Sequence, residues 1–325
     1  MRILTIAAVL AATVAAVSGH ASAAQSTYPT RPVRLIVAYP PGGSTDIAAR
    51  LIAQKLTPVL GQNVIVDNRA GASGVIGASI VAKAEPDGHT LSFAASAETA
   101  IYRALVKNPP YDSLRDFQPV SLVGRVPFML VVHPSVGVSS VKELVALSKA
   151  KPGALTFASF GQGTSNHLVA EAFRAATGTN ILHVPYKGSA PAIADLLGGQ
   201  VHMTFDAVPV VLPHAKAGKL RALAVATPKR SPLAPDIVTM DEAGVPGFTG
   251  GTWWGVLAPA RTPAPIVERL SKEIGAIMRA ADVVQIFTER GFEPVGNTPA
   301  QFRAFIESET RRWLKVAASA GIKPE

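Results

Sequence analysis

The segment Leu35-Ile36-Val37-Ala38-Tyr39-Pro40-Pro41-Gly42-Gly43-Ser44-Thr45-Asp46 runs from a strand into a helix start, and it narrows the possible folds more than any other feature. Leu35 to Ala38 is a short apolar run of buried-strand type. Pro40 to Gly43 breaks it, and Ser44, Thr45 and Asp46 are good helix starters. The same grammar returns at Leu155-Thr156-Phe157-Ala158-Ser159-Phe160-Gly161-Gln162-Gly163-Thr164-Ser165-Asn166-His167-Leu168. Unpaired backbone N–H groups and the positive end of the dipole make a helix N-terminus attract anions. Two such ends, one in each half of the chain, imply a cleft that grips a carboxylate from both sides.

The chain has 325 residues, 48% hydrophobic and 16% charged, which fits a well-packed globular protein of two domains. Residues 1–24 read as a secretory leader: Arg2 is the n-region, Ile3 to Val17 the apolar core, and Ala21-Ser22-Ala23 or Ser22-Ala23-Ala24 the cleavage site. That run is too short for a membrane anchor, and no later stretch reaches about 18 unbroken apolar residues. The chain lacks cysteine, which excludes disulfides, thiolate metal sites and cysteine catalysis. An export leader without cysteine suits a bacterial periplasmic protein that relies on its core. The formal charge is +9, but the basic residues are dispersed and no nucleic-acid motif appears. The excess therefore reads as solubility plus mild attraction of anionic solutes.

Short apolar runs alternate with amphipathic stretches of ten to fifteen residues throughout, the pattern of α/β architecture with parallel sheets. Strands are expected at Val33–Ala38, Asn63–Asp67, Thr90–Ala94, Phe128–His133, Thr156–Ala158, Ile181–Pro185, Met203–Phe205, Leu220–Ala226 and Trp253–Ala258. The final helix, 299–320, shows Phe302, Phe305, Ile306, Trp313 and Leu314 on one face. Val120 to His133 and Gly250 to Pro259 look like crossings between domains. Residues 25–122 with 256–325 then form one lobe, and residues 123–255 the other.

The Pro-Pro-Gly-Gly turn has no Lys and no phosphate-loop spacing, so it is no nucleotide triphosphatase motif. It reads equally as a ligand approach or an ordinary tight turn, with Asp46 as a capping residue or a partner for an ammonium group. The second turn is more specific, because two glycines followed by two hydroxyls can present several donors to one anion. His167 could touch ligand, though a structural histidine bonded to a carbonyl is the better reading. Asn68-Arg69-Ala70-Gly71-Ala72-Ser73-Gly74-Val75-Ile76-Gly77 has the wrong spacing for a dinucleotide site and reads as a glycine-packed helix start. Tyr186 and Lys187 end another strand, where they wall the cleft and draw an anion, or merely pack and solvate. Asp206 faces the cleft or caps a helix. Trp253 and Trp254 read as core or hinge packing. Catalytic motifs are missing: no G-x-S-x-G elbow, no H-E-x-x-H and no His pair at ligand spacing.

Beyond these motifs, Tyr28-Pro29-Thr30-Arg31-Pro32, Pro40-Pro41-Gly42-Gly43 with Asp46, Asn68-Arg69, Pro86-Asp87-Gly88, Asp116-Phe117, Ala158-Ser159 with Gly161 and Gly163, His167-Leu168, Val184-Pro185-Tyr186-Lys187-Gly188, Gly218 to Val225 and Glu242 to Phe248 occur in order. In these segments the chain resembles the substrate-binding receptors of tripartite tricarboxylate transporters, the Bug receptors, over nearly its whole mature length. Tyr39 departs from the usual phenylalanine, His89 from tyrosine and Ala70 from proline. The resemblance implies a type II periplasmic-binding-protein clamshell, two α/β lobes joined by two crossing strands. It implies a monomeric, non-enzymatic periplasmic receptor without cofactor or metal. Such a receptor captures a small carboxylate (dicarboxylate, tricarboxylate, acidic amino acid or aromatic acid) and delivers it to integral membrane transporter subunits. Carried onto this chain, the ligand is held by Tyr39, Gly42, Gly43, Ser44, Thr45 and Asp46 from one lobe. The other lobe contributes Ser159, Gly161, Gly163, Thr164, Ser165 and His167, with Ser96, Tyr186 and Asp206 behind them. A ligand-sensing adaptor for a membrane sensor kinase and, remotely, an exported hydrolase are the alternatives.

Overall fold

The computed structural model describes residues 28–319. The expected leader, residues 1–24, lies outside the described residues. Among them, no helix is long and apolar enough to cross a membrane.

The first lobe is built on β1 (Val33–Val37), which is flanked in parallel by β2 (Val64–Asn68) and β3 (Thr90–Ala95). Leu35, Ile36 and Val37 are fully buried, as a central parallel strand covered on both faces requires. Helix α1 (Ser44–Leu60) leaves the end of β1, and α2 (Val75–Ala82) follows β2 after a short turn, Ala72–Gly74. Past β3 the chain makes a wide turn, Ala97–Ile101, into α3 (Tyr102–Leu105). The strand–helix pattern does not foreshadow this turn.

The crossing element β4 (Phe117–Val132) is one strand of 16 residues, where the sequence marks a regular strand at Phe128–His133 and a longer strand-like crossing from Val120. Pro119, Gly124 and Pro127 look like strand breakers. The structure absorbs them by shifting register between Pro119 and Ser121 and between Leu122 and Gly124. After α4 (Val141–Ala150), the second lobe adds β5 (Thr156–Ser159), α5 (Ser165–Thr177), β6 (Leu182–Pro185), α6 (Ser189–Leu197), β7 (Met203–Ala207), α7 (Val208–Lys216) and β8 (Arg221–Val225). Here β5 lies parallel to β6 and β7, while β4 pairs antiparallel with β7 and β8.

The chain returns through β9 (Gly251–Pro259), antiparallel to both β3 and β4. Helices α8 (Ala264–Arg279) and α9 (Ala281–Glu289), the short β10 (Glu293–Pro294) and α10 (Pro299–Ser319) complete the first lobe. The strand order β2-β1-β3-β9-β4-β7-β5-β6 makes β4 common to both lobes. It exchanges partners at one place, with Pro127 facing Gly251 of β9 and Phe128 facing Ala207 of β7. The fold is thus an α/β clamshell with two crossing strands, β4 and β9.

Trp254 and Trp253 on β9 are buried in the first lobe's core with Phe93, Phe292 and Phe302. On α10, Phe302, Ile306 and Trp313 are buried as the periodicity predicts, whereas Leu314 is 47% exposed and off the core face.

Candidate functional site

Both glycine turns deliver a helix N-terminus to the same place. In the first lobe, Gly43 is the extended residue ahead of α1, and the earliest bond closing that helix runs from Ile47 N–H to the Gly43 carbonyl. The N–H groups of Ser44, Thr45 and Asp46 precede it and point out of the helix end unpaired. In the second lobe Thr164 plays the same part, with Leu168 N–H closing onto its carbonyl and leaving the N–H groups of Ser165, Asn166 and His167.

These residues enclose a cavity between the lobes. Tyr39, Pro40, Gly43, Ser44, Thr45 and Ala95 line it from the first lobe. Phe160, Thr164, Ser165 and Ser189 line it from the second, and Thr252 lines it from β9. Its volume is about 30 Å³, space for roughly one water molecule rather than a metabolite. An adjoining hollow of 200 Å³ shares Tyr39, Pro40 and Phe160 and adds residues 70–74, Gly161, Tyr186 and Lys187. Hollows of 530 and 820 Å³ lie elsewhere, around Leu212 and Ile237 and around Tyr28 and Ile266. The second borders the start of α8 at Pro263 and Pro265, which have no N–H to offer, and neither hollow gathers helix starts from both lobes.

A third helix N-terminus joins the two expected ones. Gly188 precedes α6, and Ser189 is the cavity's contribution from that helix. The signal was present: Val184-Pro185-Tyr186-Lys187-Gly188-Ser189 repeats the strand–glycine–hydroxyl grammar. Sequence reasoning also missed Pro40, Ala95, Phe160 and Thr252 on the lining, and Glu98 behind it.

Of the expected ligand residues, Tyr39, Gly43, Ser44, Thr45, Thr164 and Ser165 line the cavity, and Tyr39, Gly161 and Tyr186 line the adjoining hollow. The remaining candidates line neither, and their hydrogen bonds explain why. Gly42 N–H donates to Asp46 Oδ2 at 3.1 Å. Asp46 also accepts Arg50 and Asn68 side chains at 3.0 and 2.9 Å, and Asn68 donates further to the Tyr39 carbonyl. Asp46 therefore rivets the turn to β2. Burial acts to raise its pKa, but the bonds from Arg50, Asn68 and Gly42 outweigh that and hold it below the usual carboxylate range.

The second turn consumes its own donors in the same way. Phe160 N–H goes to Asn166 Oδ1, Gly161 N–H to Ser159 Oγ, and Gly163 N–H to His167 Nδ1, at 3.1, 3.1 and 3.2 Å. The glycine N–H groups expected to meet an anion thus hold the turn in shape, and the donors left over are those of the helix start. Ser159 Oγ lies 2.6 Å from His183 Nε2, and His183 stacks on His167 with ring centroids 4.2 Å apart. Burial, then His183 and Arg174, push His167 down to about 3, so it stays neutral. It accepts a backbone N–H rather than bonding a carbonyl.

Ser96 Oγ pairs with Thr252 Oγ1 at 2.8 Å, which places it one step behind the lining. Asp206 is likewise one step back, accepting the Ser189 hydroxyl at 2.7 Å. Thr45 Oγ1 accepts the Trp254 indole N–H at 3.0 Å, which fixes the start of α1 against the crossing strand. Among the described residues, Ser44 Oγ and Ser165 Oγ have no hydrogen-bond partner, so these two hydroxyls are available to a ligand.

The lobes touch at the rim. Ser73 Oγ donates to the Gln162 carbonyl across the cleft at 2.5 Å. Ala72 and Ser73 hold φ of +44° and +53°, the left-handed region that non-glycine residues rarely adopt. Gly188 has φ +127°, and a Cβ there would fall 2.8 Å from Pro40 Cδ. Among the described residues no cluster of three His, Asp or Glu is arranged to hold a metal ion.

Residues 48–322 match the profile of a family described as the tripartite tricarboxylate transporter family receptor. Protein BugT of Bordetella pertussis (strain Tohama I) is 42% identical over 324 residues, covering 99% of each chain. The solved structure of R. palustris Rpa4515 with adipate superposes with a TM-score of 0.89 at 41% identity, covering 92% of this chain and 100% of that one. MatC (Rpa3494) from Rhodopseudomonas palustris with bound malate gives 0.84 at 31% identity, over 89% and 99% of the two chains.

Proposed function

The chain belongs to the tripartite tricarboxylate transporter receptor family, and on that footing we propose that it is a periplasmic receptor, not an enzyme. It closes two lobes on a small dicarboxylate and passes it to the membrane subunits of such a transporter. The observation that carries this reading is the meeting of the α1 and α5 N-termini across one cavity, each with unpaired N–H groups and an unpartnered serine hydroxyl. Each helix end favours an anion by about 0.3–1 kcal/mol, up to about 2 when partly buried. Hydrogen bonds to a charged group add about 1.5–3 kcal/mol each. The adjoining hollow, with Lys187 and Ser73, suits a second carboxylate. That two relatives are described with adipate and with malate supports the dicarboxylate class.

In this reading the two bodies divide near residues 127/128 and 250/251 rather than at the expected 122/123 and 255/256, because Trp253 and Trp254 pack in the first lobe's core. The change of partners along β4 puts the pivot near Pro127 and Phe128 on one crossing and just before Gly251 on the other. Opening about this pivot admits the ligand, because a cavity of 30 Å³ does not hold one. A hydrolase is disfavoured because the serines bonded to a histidine among the described residues, Ser159 with His183 and Ser135 with His133, line neither the cavity nor the adjoining hollow. A thermal-shift and calorimetry screen over mono- and dicarboxylates tests the proposal. A dicarboxylate at 100 times its Kd should stabilise the protein by about 2.7 kcal/mol. A panel that leaves the melting temperature unmoved overturns it.

A further inference from the structure

Two carboxylates stand behind the cleft, one in each lobe. Glu98, on the turn after β3, accepts the Ala95 N–H at 2.6 Å with Oε1 and the Tyr39 hydroxyl at 2.9 Å with Oε2. Asp206, near the end of β7, accepts the Ala207 N–H at 2.6 Å and the Ser189 hydroxyl at 2.7 Å. Glu98 is 2% exposed and Asp206 0%. Tyr39 and Ser189 line the same cavity from opposite lobes.

None of the charged groups described here on the packed elements is hydrogen-bonded or ion-paired to either carboxylate. Around Glu98, β3 and Ala72–Gly74 carry no titratable group, and α3 brings the Tyr102 phenol. Tyr111 donates to the Glu98 carbonyl, not to its carboxylate. From α10, Arg303 goes to the Leu114 carbonyl, Glu309 accepts both indoles and Arg312 pairs with Glu309, while Arg311 and Lys315 are exposed. Around Asp206, β5 and β9 carry no charge, and Arg125 of β4 lies over the Phe305 ring. From α5, Glu171 pairs with Arg174, and His167 stacks on His183. Asp195 of α6 holds Tyr186, and α7 brings His214 and Lys216.

A hydroxyl has one proton. While its carboxylate is ionised, that proton is committed to it and the oxygen offers only lone pairs elsewhere. Once the carboxyl is protonated it can donate instead, and the hydroxyl proton is released toward the cavity. An anion in the cavity favours the second arrangement twice over, through the donors it gains and the negative charge it no longer faces. We propose that Glu98 and Asp206 are positioning residues that take up protons when an anionic ligand binds, turning Tyr39 and Ser189 from acceptors into donors. This rests on the carboxylate-capture reading above. Burial, working against the hydrogen bonds each accepts, raises both carboxyls to about 7, where each is about half protonated in neutral solution.

The test is calorimetric titration of the full mature chain with adipate, malate and linear dicarboxylates of three to eight carbons, in phosphate and in Tris, from pH 6 to pH 8. For any acid that binds, the heats in the two buffers should differ by the uptake of about one proton per ligand at pH 7. Affinity should fall about 30-fold between pH 6.5 and pH 8, the slope that uptake of one proton per ligand sets. Tyr39→Phe, which cuts the link to Glu98, and Asp206→Asn should each remove about half of the uptake. If Asp206→Asn does not fold, the wild-type buffer series still decides. Equal heats in both buffers with pH-independent affinity overturn the proton linkage and leave carboxylate capture standing. No binding by any of these acids at any pH overturns the capture reading and this proposal with it.

Discussion

Thr164 and Ser165 are adjacent hydroxyls on one turn, yet they do different work. Thr164 Oγ1 donates to the Gly161 carbonyl at 2.7 Å and is 1% exposed, so it holds the turn closed. Ser165 Oγ has no protein partner among the described residues and lines the cavity. Thr164→Ala should lower the stability of the free protein by about 1 kcal/mol, since it removes the hydroxyl's bond to the Gly161 carbonyl, which keeps the Thr164 N–H at 3.2 Å. Ser165→Ala should leave the free protein's melting temperature unchanged within error. It should weaken carboxylate binding by about tenfold, one hydrogen bond to a charged group. Denaturant melts and calorimetry on the two variants check the split, which sequence alone could not supply. Both residues fit a helix start equally well, and only the fold decides which hydroxyl has a carbonyl in reach.

At the scale of elements, three helix starts converge because three strand ends do, and glycines let the connecting turns touch. Gly161 has φ +134°, and a Cβ there would fall 2.9 Å from Ser73 Oγ. Gly188 is the tighter case, since its Cβ would meet the Pro40 ring at a φ that L side chains rarely adopt. Gly188→Ala should cost about 1–3 kcal/mol of stability from backbone strain. It should also weaken ligand binding further by holding the α6 start away from Pro40. Small-angle scattering with ligand in excess checks this, because the variant should stay more expanded than the wild type. The α1 and α5 starts were legible as a repeated grammar. The α6 start was equally written but masked by Tyr186 and Lys187, which look more like binding residues than Ser189 does. The wide turn that carries Glu98 was not legible, because Phe93 to Ile101 has neither strand alternation nor a capping signal. Its one trace is a lone carboxylate in an apolar run.

For the whole molecule, buried ionisable groups pull stability in opposite directions with pH. Glu98 binds its proton more tightly folded than unfolded, so between about pH 4.5 and 7 the folded state holds more protons. Stability therefore falls as pH rises through that window and levels off above it, by about 3 kcal/mol for this group. Asp206 acts in the same sense over a window that opens near 3.8 and closes near 7. His167 and His183, pushed down to about 3 and about 4 chiefly by burial, act the other way. The unfolded chain protonates them below about 6.5, so their contribution grows as pH rises from about 3 to 6.5. The two tendencies offset each other in mildly acid solution. The expected signature is a difference: Glu98→Gln should gain stability relative to the wild type as pH goes from 5 to 8. Scanning calorimetry across that range measures it.

What the amino-acid order determined by itself is local and repetitive: short buried strands, glycine turns, hydroxyl-led helices, two crossing segments, and enough motif segments in order to indicate the family. These follow from residue-level preferences that act over a few positions, so they can be read along the chain. What only the tertiary structure decided is which donors remain unspent. Gly42, Gly161 and Gly163 lose their N–H groups to neighbours within a few residues, an outcome set by turn geometry rather than composition. Tyr39 finds Glu98 59 residues away, and Thr45 finds Trp254 209 residues away. Partners that distant are chosen by how the strands stack, and a hydrogen bond depends on where its two atoms come to rest, which no local preference encodes.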